Sequence, residues 1–142
     1  MRLFVDTAGW MSSADERDVL HVKCMQARDR WLEQGGVLVT SDYVMDETLT
    51  LIRMRISIDA AERWWEQVAE SPRLRWERID AQRAEKARAW FFKWKDKSFS
   101  FTDCTSFILM RELGIKKALT TDKHFIAAGF EILPGFEEFT DG

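Results

Sequence analysis

Apolar residues fall along this chain in two alternating rhythms. Short runs such as Leu3-Phe4-Val5, Val37-Leu38-Val39 and Ala118-Leu119 are too brief for helices and read as buried strands, whereas Val44, Thr48 and Leu51 recur at helical spacing. Read in order, the pattern predicts a strand at 2–6 and a long helix opened by Ser12-Ser13-Ala14-Asp15 and stopped near Gln34 by Gly35-Gly36. A strand at 37–40 follows, then a helix capped by Ser41 or Asp42 and running to about Arg55. Ser57 or Asp59 opens a further helix through Val68, ahead of Pro72. A strand is predicted at 74–79, with Leu74 and Trp76 on one face. Asp80 caps a helix over 81–95, and Thr102 or Asp103 starts another that Gly114 ends. The rest is a strand at 116–121, a short helix at 123–128 and a strand at 130–133. Strands alternating with helices imply an α/β fold: a central parallel sheet of about five strands with helices on both faces.

At 142 residues the chain is expected to form one domain over 1–142, with 46% apolar and 32% charged residues, as in an ordinary globular protein. No run approaches the roughly 18 apolar residues of a membrane helix, and no leader is expected because the N-terminus goes straight into a strand. Cys24 and Cys104 are too few and too far apart for a disulfide framework or zinc site, so they are read as small buried residues in a reducing cytoplasm. The formal charge of −3 gives no global basic footprint. That argues against sequence-blind coating of nucleic acid, but not against a nuclease whose metals neutralise a local acidic field.

Four acids give the pattern its chemical content. Asp6 and Asp122 end buried strands, at the carboxyl edge where open parallel sheets bind ligands. Glu47 lies within a helical apolar stripe, and Asp103 opens the helix that carries Phe107 and Met110. Each has a plain alternative. Asp6 can be a turn residue, Asp103 and Asp122 can be helix caps, and Glu47 can pair with Arg53. Together they are harder to explain that way, because two carboxylates about 4 Å apart repel by about 4 kcal/mol at an effective dielectric near 20. A site for a hard divalent ion resolves the conflict and points to a metal-dependent nuclease. Asp46 points about 100° off the Glu47 face. Asp15, Glu16 and Asp18 read as a solvated first helical turn. His21 is read as ordinary, and His124 as a surface residue near Asp122.

The segments holding these acids, Phe4-Val5-Asp6-Thr7 with Trp10, the stretch from Thr40 through Glu47 to Leu51, Phe101-Thr102-Asp103-Cys104-Thr105-Ser106-Phe107 and Thr121-Asp122-Lys123-His124-Phe125, occur in the order seen in PIN-domain ribonucleases. Over nearly its whole length the chain resembles that family, and most closely its VapC-like toxins of toxin–antitoxin systems. The resemblance implies that Asp6, Glu47, Asp103 and Asp122 are the catalytic, metal-binding acids, with Mg²⁺ or alternatively Mn²⁺ as cofactor. It also implies that Thr7 is the small hydroxyl that follows the first acid, a candidate substrate-binding residue. RNA as substrate, a cognate antitoxin and a homodimer are implied as partners.

Residues 90–101, Trp-Phe-Phe-Lys-Trp-Lys-Asp-Lys-Ser-Phe-Ser-Phe, lead directly into Asp103. Phe91 and Trp94 are expected in a buried helical stripe. Lys95, Lys97 and Phe99 are candidate RNA contacts, lysines to phosphates and the ring to an unpaired base, with solvated lysines as the alternative. Trp64 and Trp65 are adjacent on one helix and cannot both face one core, so one is open to a partner. Two rival readings are a receiver-like phosphoacceptor, which wants a second acid where Thr7 stands, and a haloacid-type phosphotransferase, which wants Asp where Ala8 stands. A non-catalytic module on the same fold is the third.

Overall fold

The computed structural model describes residues 1–135. Strand β1 (Arg2–Val5) leads into helix α1 (Thr7–Ala14), followed by α2 (His21–Glu33), β2 (Val37–Ser41), α3 (Asp42–Arg55), α4 (Ile58–Ala69) and β3 (Leu74–Glu77). The chain continues through α5 (Ala81–Lys93), α6 (Phe101–Leu113), β4 (Lys117–Leu119), α7 (His124–Ala127) and β5 (Glu131–Leu133). The strands form one sheet in the order β3-β2-β1-β4-β5, every pairing parallel. Leu3, Phe4 and Val5 of central β1 are fully buried, so both faces of that strand are covered. The expected α/β architecture is therefore observed.

The order places a topological switch between β1 and β4. From β1 the chain moves outward to β2 and β3, then returns to build β4 and β5 on the other side. At such a switch the loops leaving the two strands diverge and leave a crevice beyond their carboxyl ends. Asp6 follows β1, and Thr120 to Asp122 follow β4, so the crevice opens between them. Thr40 of β2 ties the central layer together: its Oγ1 donates to the Val5 carbonyl at 3.0 Å and accepts from Trp10 Nε1 at 3.3 Å.

Helix α1 starts directly after β1 and passes very close to the sheet. A Cβ built on Gly9 would sit 2.1 Å from the Leu119 carbonyl oxygen, so only glycine permits this approach. The predicted helix, opened by Ser12-Ser13-Ala14-Asp15 and running to about Gln34, begins only at His21: residues 15–20 form a turn, and α1 before it is a separate helix that the pattern did not predict. The acids read as a solvated helical turn instead hold that turn. Asp15 pairs with Arg17, and Asp18 accepts from Ser12 Oγ at 3.0 Å and from the Leu20 N–H at 2.8 Å. Gly35, at φ 87°, follows the end of α2 as the pattern predicts.

Elsewhere the caps resolve as follows. Ser41, Ser57 and Asp80 cap α3, α4 and α5, and the Asp42 carboxylate accepts from the Ile79 N–H at 2.9 Å. Helix α6 is capped by Ser100 rather than by Thr102 or Asp103. Of the two adjacent tryptophans, Trp64 is buried edge-on against Trp10, while Trp65 is 40% exposed and packs against Trp76. Trp76, expected on the inner face of β3 with Leu74, is 38% exposed because β3 is an edge strand and Trp76 turns toward Trp65. Phe91 and Trp94 are also 38% and 40% exposed, correcting the expected buried stripe. Helix α5 ends at Lys93, two residues short of the prediction, and Ala87 is its fully buried contact with the core. Both cysteines are buried, and neither is in a disulfide.

Candidate active site

The crevice beyond β1 and β4 is a cleft of about 410 Å³ whose walls include Asp6, Glu47, Asp103 and Asp122. Six parts of the chain contribute: the β1–α1 junction with α1, the turn between α1 and α2, α3, the segment before α6, the start of α6, and the β4–α7 loop. All four acids singled out from the sequence thus line one space.

Asp6 is 3% exposed at the N-terminus of α1. Its Oδ2 accepts from Thr120 Oγ1 at 3.1 Å, and Thr120 Oγ1 in turn accepts from the Asp122 N–H at 3.0 Å. Burial, followed by the nearby charge of Asp103, pushes the Asp6 carboxyl up to about 7, while hydrogen bonds from the Thr7 N–H and Thr120 partly oppose the rise. Asp103 is likewise raised, by burial first and then by the charge of Asp122. A capping box fixes its direction: the Ser100 N–H donates to Asp103 Oδ2 at 3.1 Å, and Ser100 Oγ accepts from the Asp103 N–H at 3.0 Å. The capping alternative for Asp103 is therefore real, yet the same carboxylate faces the cleft.

Glu47 is half-buried and makes no ion pair with Arg53 among the described residues. Asp46, one residue earlier, is exposed and lies instead beside an apolar groove with Trp65 and Trp76. Thr7 Oγ1 is buried on the cleft wall without a hydrogen-bond partner, so it is free to bond a ligand there.

His124 is the residue the sequence undervalued. Its Nδ1 lies 3.2 Å from Asp103 Oδ2 and 3.2 Å from Asp122 Oδ1, and its Nε2 is 3.0 Å from Ser98 Oγ. Its backbone N–H also donates to Asp122 Oδ1 at 2.9 Å. Ligand atoms of Asp103, Asp122 and His124 lie within 4.8 Å of one another, close enough to share one ion. Asp18, placed by the turn between α1 and α2, adds a fifth carboxylate to the cleft wall.

The donor set fits a hard divalent cation. It is dominated by carboxylate oxygens, and the most buried of them, Asp6, has no cationic partner among the described residues. The candidate RNA contacts divide. Lys95 and Lys97 are exposed on the segment that enters the cleft at Ser98 and Ser100. Phe99 is 8% exposed, its ring packed edge-on against Phe107 and His124. A ring so enclosed offers no free face to a base, which corrects the stacking expectation for Phe99. The exposed aromatics of this segment are Phe91, Phe92 and Trp94, with Phe92 the most open at 63%.

A parallel sheet with a switch-point cleft of carboxylates defines an α/β domain able to hold a divalent metal, and the comparison with known families gives it a name. The model of the PIN domain matches residues 3–131, and the chain belongs to that family, whose members hydrolyse RNA phosphodiester bonds. Among characterised proteins it is 35% identical over 133 residues to the 23S rRNA-specific endonuclease VapC20 of two Mycobacterium tuberculosis strains, CDC 1551 / Oshkosh and ATCC 25618 / H37Rv. That alignment spans 93% of this chain and 98% of the relative. The crystal structure of Mycobacterium tuberculosis VapC20, described as a sarcin–ricin loop cleaving toxin, superposes with a TM-score of 0.82 at 33% identity, over 90% of this chain and 95% of that one. The receiver-like and phosphotransferase readings are thereby set aside.

Proposed function

We propose that this chain is a Mg²⁺-dependent endoribonuclease of a single nuclease domain, the toxin of a toxin–antitoxin pair, and that it cuts 23S rRNA as its mycobacterial relatives are described as doing. The observation that carries the reading is the convergence of Asp6, Glu47, Asp103 and Asp122 on one cleft at the sheet's switch point. A homodimer, an antitoxin partner and a cytoplasmic setting belong to the same proposal. Among the described residues no helix is long and apolar enough to cross a membrane.

In this reading the four acids hold the divalent ion, with Mn²⁺ as an alternative to Mg²⁺. The bound ion supplies positive charge to the phosphoryl oxygens and lowers the pKa of the attacking water. The chain's own residues arrange the rest. Thr120 orients the Asp6 carboxylate, and Ser100 and His124 orient that of Asp103. Thr7 Oγ1 is available to a phosphate oxygen or to water. Lys95 and Lys97 meet flanking phosphates, and Phe92 and Trp94 take over the stacking role expected of Phe99.

The test is cleavage of 23S rRNA, as naked RNA and in ribosomes, with and without chelator. A discrete, metal-dependent cut lost in Asp6→Asn and Asp103→Asn supports the proposal. Full metal-dependent cleavage by a folded Asp6→Asn protein would sink it.

A further inference from the structure

A cleft lined by carboxylates repels the polyanion it is meant to receive, so the cationic groups on its walls matter. Among the described lining residues one carries a permanent positive charge, Arg55 at the end of α3. Glu47, Leu51 and Arg55 all line the cleft, and they succeed one another along α3 at four-residue steps. The wall of the cleft is thus a helix edge that changes from acid to base over eight residues, about 12 Å of axial rise.

Arg55 is exposed, and among the described residues its guanidinium makes no ion pair, although Asp6, Asp18, Glu47, Asp103 and Asp122 share its cleft. Its backbone is anchored while its side chain is uncommitted. The Arg55 carbonyl accepts from Arg17 Nη2 at 3.0 Å, and Arg17 is itself held by Asp15 at 3.1 Å. Arg53, by contrast, falls about 120° from Glu47 around the helix and is absent from the cleft wall.

We infer that Arg55 is a substrate-binding residue that grips a phosphate flanking the scissile one and so sets the direction in which RNA crosses the acidic cleft. This deepens the proposed function and rests on its reading of RNA as the substrate. An arginine fork suits the task, because it donates two parallel hydrogen bonds to phosphate oxygens and keeps its charge at any working pH. Twelve ångströms of helix separate it from Glu47, so it serves a neighbouring phosphate while the acids serve the reacting one.

The experiment uses full-length protein silenced by Asp103→Asn and a labelled RNA stem-loop, with binding titrated at several salt concentrations. Adding Arg55→Ala should weaken binding roughly tenfold and reduce the salt slope by about 0.7 to 1 unit, the contribution of one phosphate contact. Arg55→Lys should keep the slope while losing part of the affinity, because it keeps the charge and loses the fork. In active protein Arg55→Ala should raise KM more than it lowers kcat. Mn²⁺ affinity, measured without RNA, should stay unchanged. An unaltered salt slope in Arg55→Ala overturns the assignment, as does tighter Mn²⁺ binding with RNA affinity intact, which would make Arg55 only a neutraliser of the acids. No RNA binding by the silenced parent would overturn the substrate reading itself, and this inference with it.

Discussion

Thr120 Oγ1 stands 3.1 Å from Asp6 Oδ2, a hydrogen bond between residues 114 positions apart that joins the loops leaving β1 and β4. The same hydroxyl accepts the Asp122 N–H, so one small side chain sets the spacing of two cleft acids. Threonine is suited to this because its hydroxyl both donates and accepts.

The Asp6 environment makes the metal-free protein sensitive to pH in a direction that can be worked out. Its carboxyl is raised to about 7 in the fold, against 3.8 for the free side chain. The folded state therefore holds the proton more tightly than the unfolded chain. The contribution of this one group to stability should be most favourable below about pH 4, fall as pH rises toward 7, and level off above it. Asp6→Asn removes the penalty, on the order of 4 kcal/mol at most for such a shift. The variant should melt higher than the parent at pH 8 in chelator, with the gap closing near pH 4. Calorimetric Mg²⁺ or Mn²⁺ titrations in buffers of different ionisation enthalpy should show proton release on binding between pH 5 and 7, as Asp6 gives up its proton. Metal uptake without proton release would contradict the assignment of Asp6.

Glu47 and Asp46 are neighbours in sequence with opposite expected effects. Glu47 faces the cleft, whereas Asp46 lies against the Trp65 and Trp76 groove. Glu47→Gln should lower cleavage at least tenfold and weaken Mn²⁺ binding, while Asp46→Asn should leave both within about twofold. Similar losses in both variants would count against the role given to Glu47.

His124 touches both Asp103 and Asp122, so its loss should act through them. His124→Ala is expected to lower metal affinity and cleavage about 10- to 100-fold, the usual range for groups that orient metal-binding carboxylates. The thermal midpoint should move little, since the side chain is over a third exposed. Mn²⁺ titration is the deciding measurement, and unchanged affinity would leave His124 with no positioning role.

The segment before α6 separates binding from packing. Lys95→Ala with Lys97→Ala should reduce the salt slope of RNA binding by about two units. Phe92→Ala with Trp94→Ala should weaken binding to single-stranded loops more than to duplex. Phe99→Ala should instead cost about 3 kcal/mol of stability, because it empties space beside Phe107. Chemical denaturation and RNA titration on the same three proteins distinguish these outcomes.

What the sequence revealed and what it hid follow from the range of the forces involved. Asp6 and Asp122 were legible because each ends a buried apolar run, and a parallel sheet brings such ends together. Glu47 was legible because a carboxylate on an apolar helical stripe is anomalous. His124 was not, since its place depends on a four-residue helix and on where Asp103 arrives from α6. Asp18 was misplaced for a similar reason: acids before an apolar stretch look alike in a helical turn and in a connecting turn. At Trp94 the aromatic segment misled because periodicity continues past Lys93, where the helix stops. Periodicity shows which face would be buried if a helix persisted, but not whether it does.

Gly9 gives the cleft a point of failure outside its own walls. The atom that a Cβ there would strike belongs to Leu119, on the strand that delivers Thr120 and Asp122, and Gly9 itself lies three residues after Asp6. Any side chain at that position must pry α1 from β4, widening the gap between the first and last acids together. If expression of the active protein arrests growth, cells that escape it need not lose a carboxylate. Substitutions of this one glycine would spare every ligand and still disarm the enzyme, so its codon should recur among survivors alongside those of the acids.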